Sequence, residues 1–274
     1  MERKILTVVT NSPINALGNV LKMELSGCDC QQRPGQFVDI ELDGLFLRRP
    51  ISVCDWRDGV LTLLYKVVGK GTALMAGMKP GQSLDVLCSL GNGFETDLPD
   101  VSRPLLVGGG IGTAPLYLLA RRLVERGVQA TVILGFNTAA EIIMEEEFKS
   151  LGAKTIVATA DGSYGVRGFV TDALPLLAAS GATEYTPEDA REGAPENARE
   201  NAPEDAGYDY CYACGPMPMM RALAPKLQSP AQFSLEERMG CGTGICMGCT
   251  CPQLTGSKRI CKDGPVFSLD EINL

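Results

Sequence analysis

The 274-residue sequence contains no histidine. That absence removes the commonest general acid/base and the commonest nitrogen ligand for zinc. A basic stripe is also lacking: the formal net charge is −8, and no Lys/Arg cluster faces a phosphate backbone, so no nucleic-acid partner is expected. Long apolar runs are missing too. The least polar stretch, 105–120, is broken by Gly108, Gly109, Gly110, Gly112 and Pro115, so it reads as strand, turn and helix and no membrane partner is expected. The opening MERKILTVVT carries Glu2, Arg3 and Lys4 and turns polar at Thr10, Asn11 and Ser12, too soon for a signal-peptide core; a cytoplasmic location is expected. Against these gaps stands a 45% hydrophobic content, enough for two compact domains and a small appendage. Eleven cysteines are present, an odd number, and five of them lie from Cys241 to Cys261, a clustering that points to metal rather than to a disulfide scaffold.

Along the chain, KILTVVT, QFVDIEL, PISVCDW, VLTLLYKVV and SLDVLCSL are short apolar segments divided by Gly, Pro and Asp, the pattern of an N-terminal antiparallel β-barrel over 1–100. From 101 to 228 apolar strands alternate with helical stretches: LLVGG with APLYLLARRLVERG, ATVILGF with AAEIIMEEEFKSLG, TIVATADG with GFVTDALPLLAASG, and DYCYACGP with MPMMRALAPKL. This predicts a Rossmann-like parallel-sheet α/β domain, followed by a small C-terminal domain over 229–274. Inside the second domain, 186–207 repeats an eight-residue acidic unit nearly three times, with seven acidic and two basic residues. Pro187, Pro195 and Pro203 and the scarcity of apolar side chains predict a disordered surface insertion with no role in the chemistry.

The strongest motif is Cys241-Gly-Thr-Gly-Ile-Cys246-Met-Gly-Cys249 with a later Cys261. A C-x4-C-x2-C run with a distant fourth cysteine is the spacing of plant-type [2Fe–2S] ferredoxins. Gly242, Gly244 and Gly248 let such a loop wrap tightly and turn backbone N–H groups toward sulfur. Zinc is the competing occupant, and Cys251 competes with Cys249 as a ligand, though the spacing favours Cys249. Arg49-Pro50-Ile51-Ser52, with Leu64-Tyr65-Lys66 and Gly71-Thr72 downstream, can set a guanidinium on a diphosphate, a hydroxyl near a ring nitrogen and backbone donors near a phosphate. Gly108-Gly109-Gly110-Ile111-Gly112-Thr113-Ala114-Pro115, between strand and helix, permits close approach of a dinucleotide. It departs from G-x-G-x-x-G at Thr113. Cys214-Gly215-Pro216 ends the last strand of the same domain.

In this order, RPIS, GT, GGGIGTAP and CGP resemble the ferredoxin–NADP reductase superfamily, which joins a flavin-binding barrel to a nucleotide-binding domain. The tail from Leu235-Glu-Glu-Arg-Met-Gly to Cys261-Lys-Asp-Gly-Pro-Val-Phe267 looks more narrowly like the electron-transfer subunits of type B dihydroorotate dehydrogenases. The likeness spans nearly the whole chain outside 186–207. It implies FAD contacts at Arg49, Pro50, Ile51, Ser52, Leu64, Tyr65, Lys66, Gly71 and Thr72, with Ser52 near flavin N5. It implies NAD(H) contacts at Gly109, Gly110, Ile111, Gly112, Thr113, Cys214, Gly215 and Pro216, with Cys214 near the reacting ring carbon, and a [2Fe–2S] cluster on Cys241, Cys246, Cys249 and Cys261. Ile51 stands where many reductases have a flavin-stacking tyrosine, and Tyr65 is a candidate substitute.

The resemblance further implies a partner, the FMN-containing catalytic subunit that oxidises dihydroorotate, in a heterotetramer of two catalytic and two electron-transfer subunits serving pyrimidine biosynthesis. Electrons would pass from it through the cluster and FAD to NAD+. The rival readings are a flavin/iron–sulfur subunit of a hydrogenase, a glutamate-synthase-like enzyme or a ferredoxin transhydrogenase, and, in another class, a colourless zinc-binding adaptor. NADH is expected over NADPH, because no Arg/Lys cluster follows Gly135-Phe136-Asn137.

Overall fold

A computed structural model describes residues 1–179 and 206–274. Most of the acidic repeat, 186–205, lies outside the described residues.

The chain divides into two compact units, one formed by 1–95, 114–119 and 234–273, the other by 96–113, 120–233 and the last residue. The three-domain division at 100/101 and 228/229 stands beside this as a proposal about modules; by compactness the C-terminal segment belongs with the N-terminal one.

In the first unit, β1 (Glu2–Pro13), β2 (Val20–Ser26), β3 (Phe37–Ile40), β4 (Arg49–Arg57), β5 (Val60–Lys66) and β6 (Ser83–Leu90) close into a barrel in the order β1-β2-β5-β4-β3-β6. Every pairing is antiparallel. A single helix, α1 (Lys70–Ala76), connects β5 to β6. Alternation drives the closure: Leu61, Leu63 and Tyr65 of β5 share the interior with Met23, Leu25, Val38, Ile40, Val53 and Val86. Five of these strands coincide with the expected segments. The sixth, β2, was not foreseen, since VLKMELS mixes helix-favouring Leu, Lys, Met and Glu and becomes a strand through its register with β1 and β5.

In the second unit, β7 (Pro104–Gly109), β8 (Thr131–Phe136), β9 (Lys154–Thr159), β10 (Val166–Arg167), β11 (Tyr210–Cys214) and β12 (Ala231–Ser234) follow the order β10-β9-β8-β7-β11-β12. The pairs β10–β9, β9–β8, β8–β7 and β7–β11 are parallel, and the order reverses direction beside β7, the topological switch point at which open α/β sheets bind ligands. Among the described residues the helices are α2 (Ala114–Glu125), whose residues 114–119 group with the first unit, α3 (Glu145–Ser150), α4 (Val170–Ala173), α5 (Pro175–Ala179) and α6 (Met217–Leu223). The expected helix over 139–152 is shorter than its pattern, because Met144 takes a left-handed φ of 66° and only 145–150 continue as α-helix. The C-terminal segment adds a hairpin of β13 (Thr250–Gln253) and β14 (Gly256–Arg259), then α7 (Ile260–Asp263) and β15 (Val266–Ser268). No helix among the described residues is long and apolar enough to cross a membrane.

Candidate functional site

The β13–β14 hairpin explains how cysteines twelve positions apart become neighbours. Thr250 pairs with Arg259, so Cys249 and Cys261 flank the hairpin's open end with their sulfurs 3.2 Å apart. Cys241 and Cys246 form a second pair on the preceding loop, joined by the Cys246 N–H, which donates to Cys241 Sγ. Left-handed φ values at Gly242 (64°), Gly244 (86°) and Met247 (61°) wind this loop so that its amides point at sulfur. Thr243 and Cys246 donate N–H bonds to Cys241 Sγ, Gly248 donates to Cys246 Sγ, and Cys261 donates to Cys249 Sγ, each at 3.4 Å. Burial opposes ionisation of Cys241, but the Thr243 and Cys246 donors win and hold its thiol down at about 5. Two thiol pairs, each met by backbone donors, are the ligand set that two sulfide-bridged irons require, so these residues fit a [2Fe–2S] group. Cys251 is not part of this set: its sulfur accepts from Gln253 Nε2 at 3.0 Å.

Arg259 fastens the arrangement. Its guanidinium meets Asp263 through two bonds of 3.0 and 3.1 Å and reaches Gly244 O at 3.1 Å, clamping the cysteine loop to α7, which carries Cys261. That fork holds the Asp263 carboxyl down at about 2. The i,i+4 spacing of Arg259 and Asp263 was the available signal for this clamp.

Asp39 is the second residue that sequence reading passed over. It is 2% exposed on β3, opposite Pro50 of β4, and its Oδ1 has no hydrogen-bond partner among the described residues. A side chain at Gly242 would lie 2.5 Å from Asp39 Oδ2. The loop that begins with Cys241 therefore rests against β3, whose neighbour β4 carries Arg49 to Ser52. A lone charge in the otherwise apolar FVDI was its signal. Burial, and then the Cys241 thiolate, raise its carboxyl to about 6 against the opposing pull of Arg48 and Arg49.

Around β4 and α1, Arg49 donates to the carbonyls of Leu47 (2.5 Å) and Arg48 (3.1 Å), and its guanidinium lies over Gly71, where any Cβ would overlap Nε. Thr72 Oγ1 accepts from Val68 and Gly69 N–H at 2.9 and 3.2 Å, which fixes the start of α1 beside that guanidinium. Ser52 lies opposite Phe37, and Pro50 opposite Asp39, on the strand face away from Val38 and Ile40. Leu64 is also outside the interior cluster, whereas Ile51 packs against it. Tyr65 departs from expectation. Its ring is 2% exposed in the barrel core and its hydroxyl bonds Asn11 Oδ1 at 2.7 Å, so it has no open face on which a flavin could stack. Arg49, Gly71 and Thr72 fit a diphosphate: an oriented cation beside a glycine cradle, with no acidic residue in the first turn of α1.

In the second unit, parallel pairing of β7 with β11 sets Gly108 opposite Cys214 and brings two distant turns together. A Cβ at Gly109 would meet Met219 Sδ at 2.5 Å and Pro216 Cδ at 2.9 Å, and one at Gly112 would meet Cys214 O at 2.5 Å and Gly215 Cα at 2.7 Å. Gly110, at φ 54°, and Ile111 sit in the 3-10 turn that leads to α2. Thr113 is fully buried, and its Oγ1 has no partner among the described residues. The turn at residues 109–113 and the one at 214–216 thus form one backbone-lined surface at the sheet's switch point, suited to a dinucleotide.

Comparison with known proteins agrees with this geometry. Residues 236–273 match the iron–sulfur cluster binding domain of dihydroorotate dehydrogenase B, and residues 106–224 match the oxidoreductase NAD-binding domain. A solved structure of an NADH-dependent reduced ferredoxin–NADP oxidoreductase, reported for flavin-based electron bifurcation, superposes with a TM-score of 0.79 at 31% identity, covering 98% of this chain and 90% of that one. Fold and site together define a nicotinamide-linked oxidoreductase of ferredoxin–NADP reductase architecture with an iron–sulfur segment. Among curated relatives, the electron transfer subunit of dihydroorotate dehydrogenase B (NAD(+)) from Bacillus caldolyticus is 44% identical over 92% of each chain, and that of Geobacillus sp. strain WCH70 is 40% identical over the full length of both. The chain belongs to the family of dihydroorotate dehydrogenase B (NAD(+)) electron transfer subunits.

Proposed function

We propose that this chain carries electrons between an FMN-containing catalytic subunit, on which dihydroorotate is oxidised to orotate, and NAD+, in a cytoplasmic assembly of two catalytic and two electron-transfer subunits. The observation that carries this reading is the seating of the Cys241 loop against Asp39, whose strand neighbour Pro50 belongs to the flavin motif. The loop that carries Cys241 thereby packs on the side of the barrel that carries the flavin motif, which supports passage of electrons between the two groups. FAD, when bound, converts between single electrons and the hydride pair that NAD+ accepts.

The remaining work falls to the chain's own residues. Cys241, Cys246, Cys249 and Cys261 hold the cluster, and their N–H donors offset the negative charge that its reduction adds. Arg49, over Gly71, would neutralise the diphosphate of FAD, and Ser52 would offer a hydroxyl to the flavin ring near N5. Gly109 to Thr113 and Cys214 to Pro216 bind the nicotinamide nucleotide by backbone approach, with Cys214 beside the reacting ring. Asn137 N–H and Nδ2 both donate to Glu141 just after β8, and an acidic side chain near the end of this strand supports the preference for NADH over a 2′-phosphorylated nucleotide. Cys246 is exposed between Ile245 (85% exposed) and Met247 (54% exposed), an apolar tip suited to docking the partner beside the cluster.

The test is an anaerobic visible spectrum of the purified chain, with iron, sulfide and flavin assayed before NADH is added, followed by co-purification. Flavin and [2Fe–2S] bands that bleach with NADH, together with an FMN-containing partner, are expected. A colourless chain, or a larger iron–sulfur partner in place of an FMN protein, would overturn the assignment.

A further inference from the structure

Three other cysteines converge within the barrel unit, away from the Cys241–Cys261 set. Cys28 and Cys30 lie on the loop after β2, and Cys88 lies on β6; they are 0%, 6% and 0% exposed. Their sulfurs all fall within 4.8 Å of one another, with Cys28 and Cys30 at 3.6 Å. A disulfide would need about 2.05 Å, so these are separate thiols. The edge of a sulfur tetrahedron around zinc, with Zn–S about 2.3 Å, is about 3.8 Å, close to the Cys28–Cys30 distance of 3.6 Å, and Cys88 Sγ lies within 4.8 Å of both.

Two features separate this cluster from ordinary packing thiols, which ask for apolar neighbours. The first is Gln32, a buried amide that is 1% exposed. Its Nε2 faces Cys30 Sγ at 3.3 Å and Cys28 Sγ at 3.7 Å and also meets Cys30 O and Ser89 Oγ, while its Oε1 accepts from Ser89 N–H at 3.2 Å. Both ends of the amide are thus fixed, with N–H turned toward sulfur, the outer contact that tunes thiolate ligands. The second is an entrance. Cys30 Sγ also lies within 4.8 Å of exposed Glu2 and Asp29 carboxylates, and Glu2 is the strand partner of Cys88. Lys4 Nζ now bridges those carboxylates at 3.0 and 2.7 Å, a cation already held at the mouth.

We propose that Cys28, Cys30 and Cys88 form a structural Zn2+ site, with a carboxylate from Glu2 or Asp29 as the fourth ligand and Gln32 supporting the sulfurs. Loading releases three thiol protons to solvent and displaces Lys4 from the acidic pair. No electron is exchanged, and the site stitches the loop after β2 to β6, which are not consecutive strands.

The full chain, purified anaerobically with FAD and iron–sulfur cluster in place, is given one equivalent of Zn2+ in competition with a chromophoric chelator. Zinc, iron, sulfide and flavin are then counted, and the zinc K-edge absorption is recorded. One retained zinc per chain is expected, with iron and flavin unchanged and three sulfurs at about 2.3 Å around the metal. Cys88→Ser should weaken zinc retention by on the order of 100-fold and Gln32→Leu by about 10-fold, while Cys211→Ala leaves it unchanged. Failure to retain zinc, zinc uptake matched by loss of iron, or a first shell of oxygen and nitrogen alone would overturn the site. The edge spectrum of the unmodified chain decides the matter even if a cysteine variant misfolds.

Discussion

The cysteine loop at 241–249 and the paired glycine turns at 109–113 and 214–216 both depend on glycine, but for opposite reasons. In the loop, Gly242 and Gly244 supply left-handed φ so that amides can reach the sulfurs, and the chemistry lies in side chains. In the turns, Gly109, Gly112 and Gly215 supply empty space, so the Met219 and Pro216 side chains and the Cys214 backbone pack within about 3 Å of where a Cβ would be, and the surface the turns present is largely backbone. The loop is therefore disarmed by changing a ligand atom, whereas the turns are disarmed by adding one carbon.

The largest effect expected from this contrast is that of Cys246→Ser. Electron passage to the partner should be abolished, yet NADH oxidation by artificial acceptors should persist, because the flavin and nucleotide contacts lie on other residues; equal loss of both activities would erase the distinction. Gly112→Val is next. Its side chain cannot avoid Cys214 O, and displacing the turn by about 1 Å should cost on the order of 100-fold in kcat/KM for NADH while iron and sulfide content stay full. Gly71→Ala tests the same logic on a softer neighbour, since Arg49 can swing aside. FAD should be retained about 10-fold more weakly, about 1.4 kcal/mol, in an otherwise folded chain, as equilibrium dialysis would show.

A smaller effect concerns Asp39. Its folded carboxyl sits at about 6, above the ordinary 3.8, so between those values the folded chain holds a proton that the unfolded chain has lost. Stability should fall as pH rises from about 4 to about 6 and stay lowered above it, and Asp39→Asn should flatten that slope in melting curves; an unchanged slope would remove Asp39 as its source. Least of all should follow from deleting 186–207, where cofactor content and activity are expected to stay nearly unchanged. A large drop in partner affinity would show that the acidic repeat docks.

Legibility in the sequence followed the range of each interaction. The cysteine set proposed for the cluster could be read because Cys241, Cys246 and Cys249 share one loop with the spacing such ligands use. The glycine turn after β7 was equally local. Tyr65 was misjudged because period-2 alternation decides which strand residues face the barrel interior, and the phase of β5 is set by its pairing with β2 and β4. Asp39 and Gln32 passed unnoticed because a buried polar residue acquires meaning only from what surrounds it.

By itself the sequence determined the β then α/β organisation and the family and proposed a cysteine set by its spacing, all of which rest on patterns within a few residues. The tertiary structure alone decided that Cys249 and not Cys251 lies beside Cys261, that the cysteine loop leans on β3, the neighbour of the strand bearing Arg49 to Ser52, and that Cys88 meets Cys28 and Cys30. Those contacts depend on hairpin register and barrel closure. Register is a cooperative outcome of burying one face of every strand at once, so no single segment carries it.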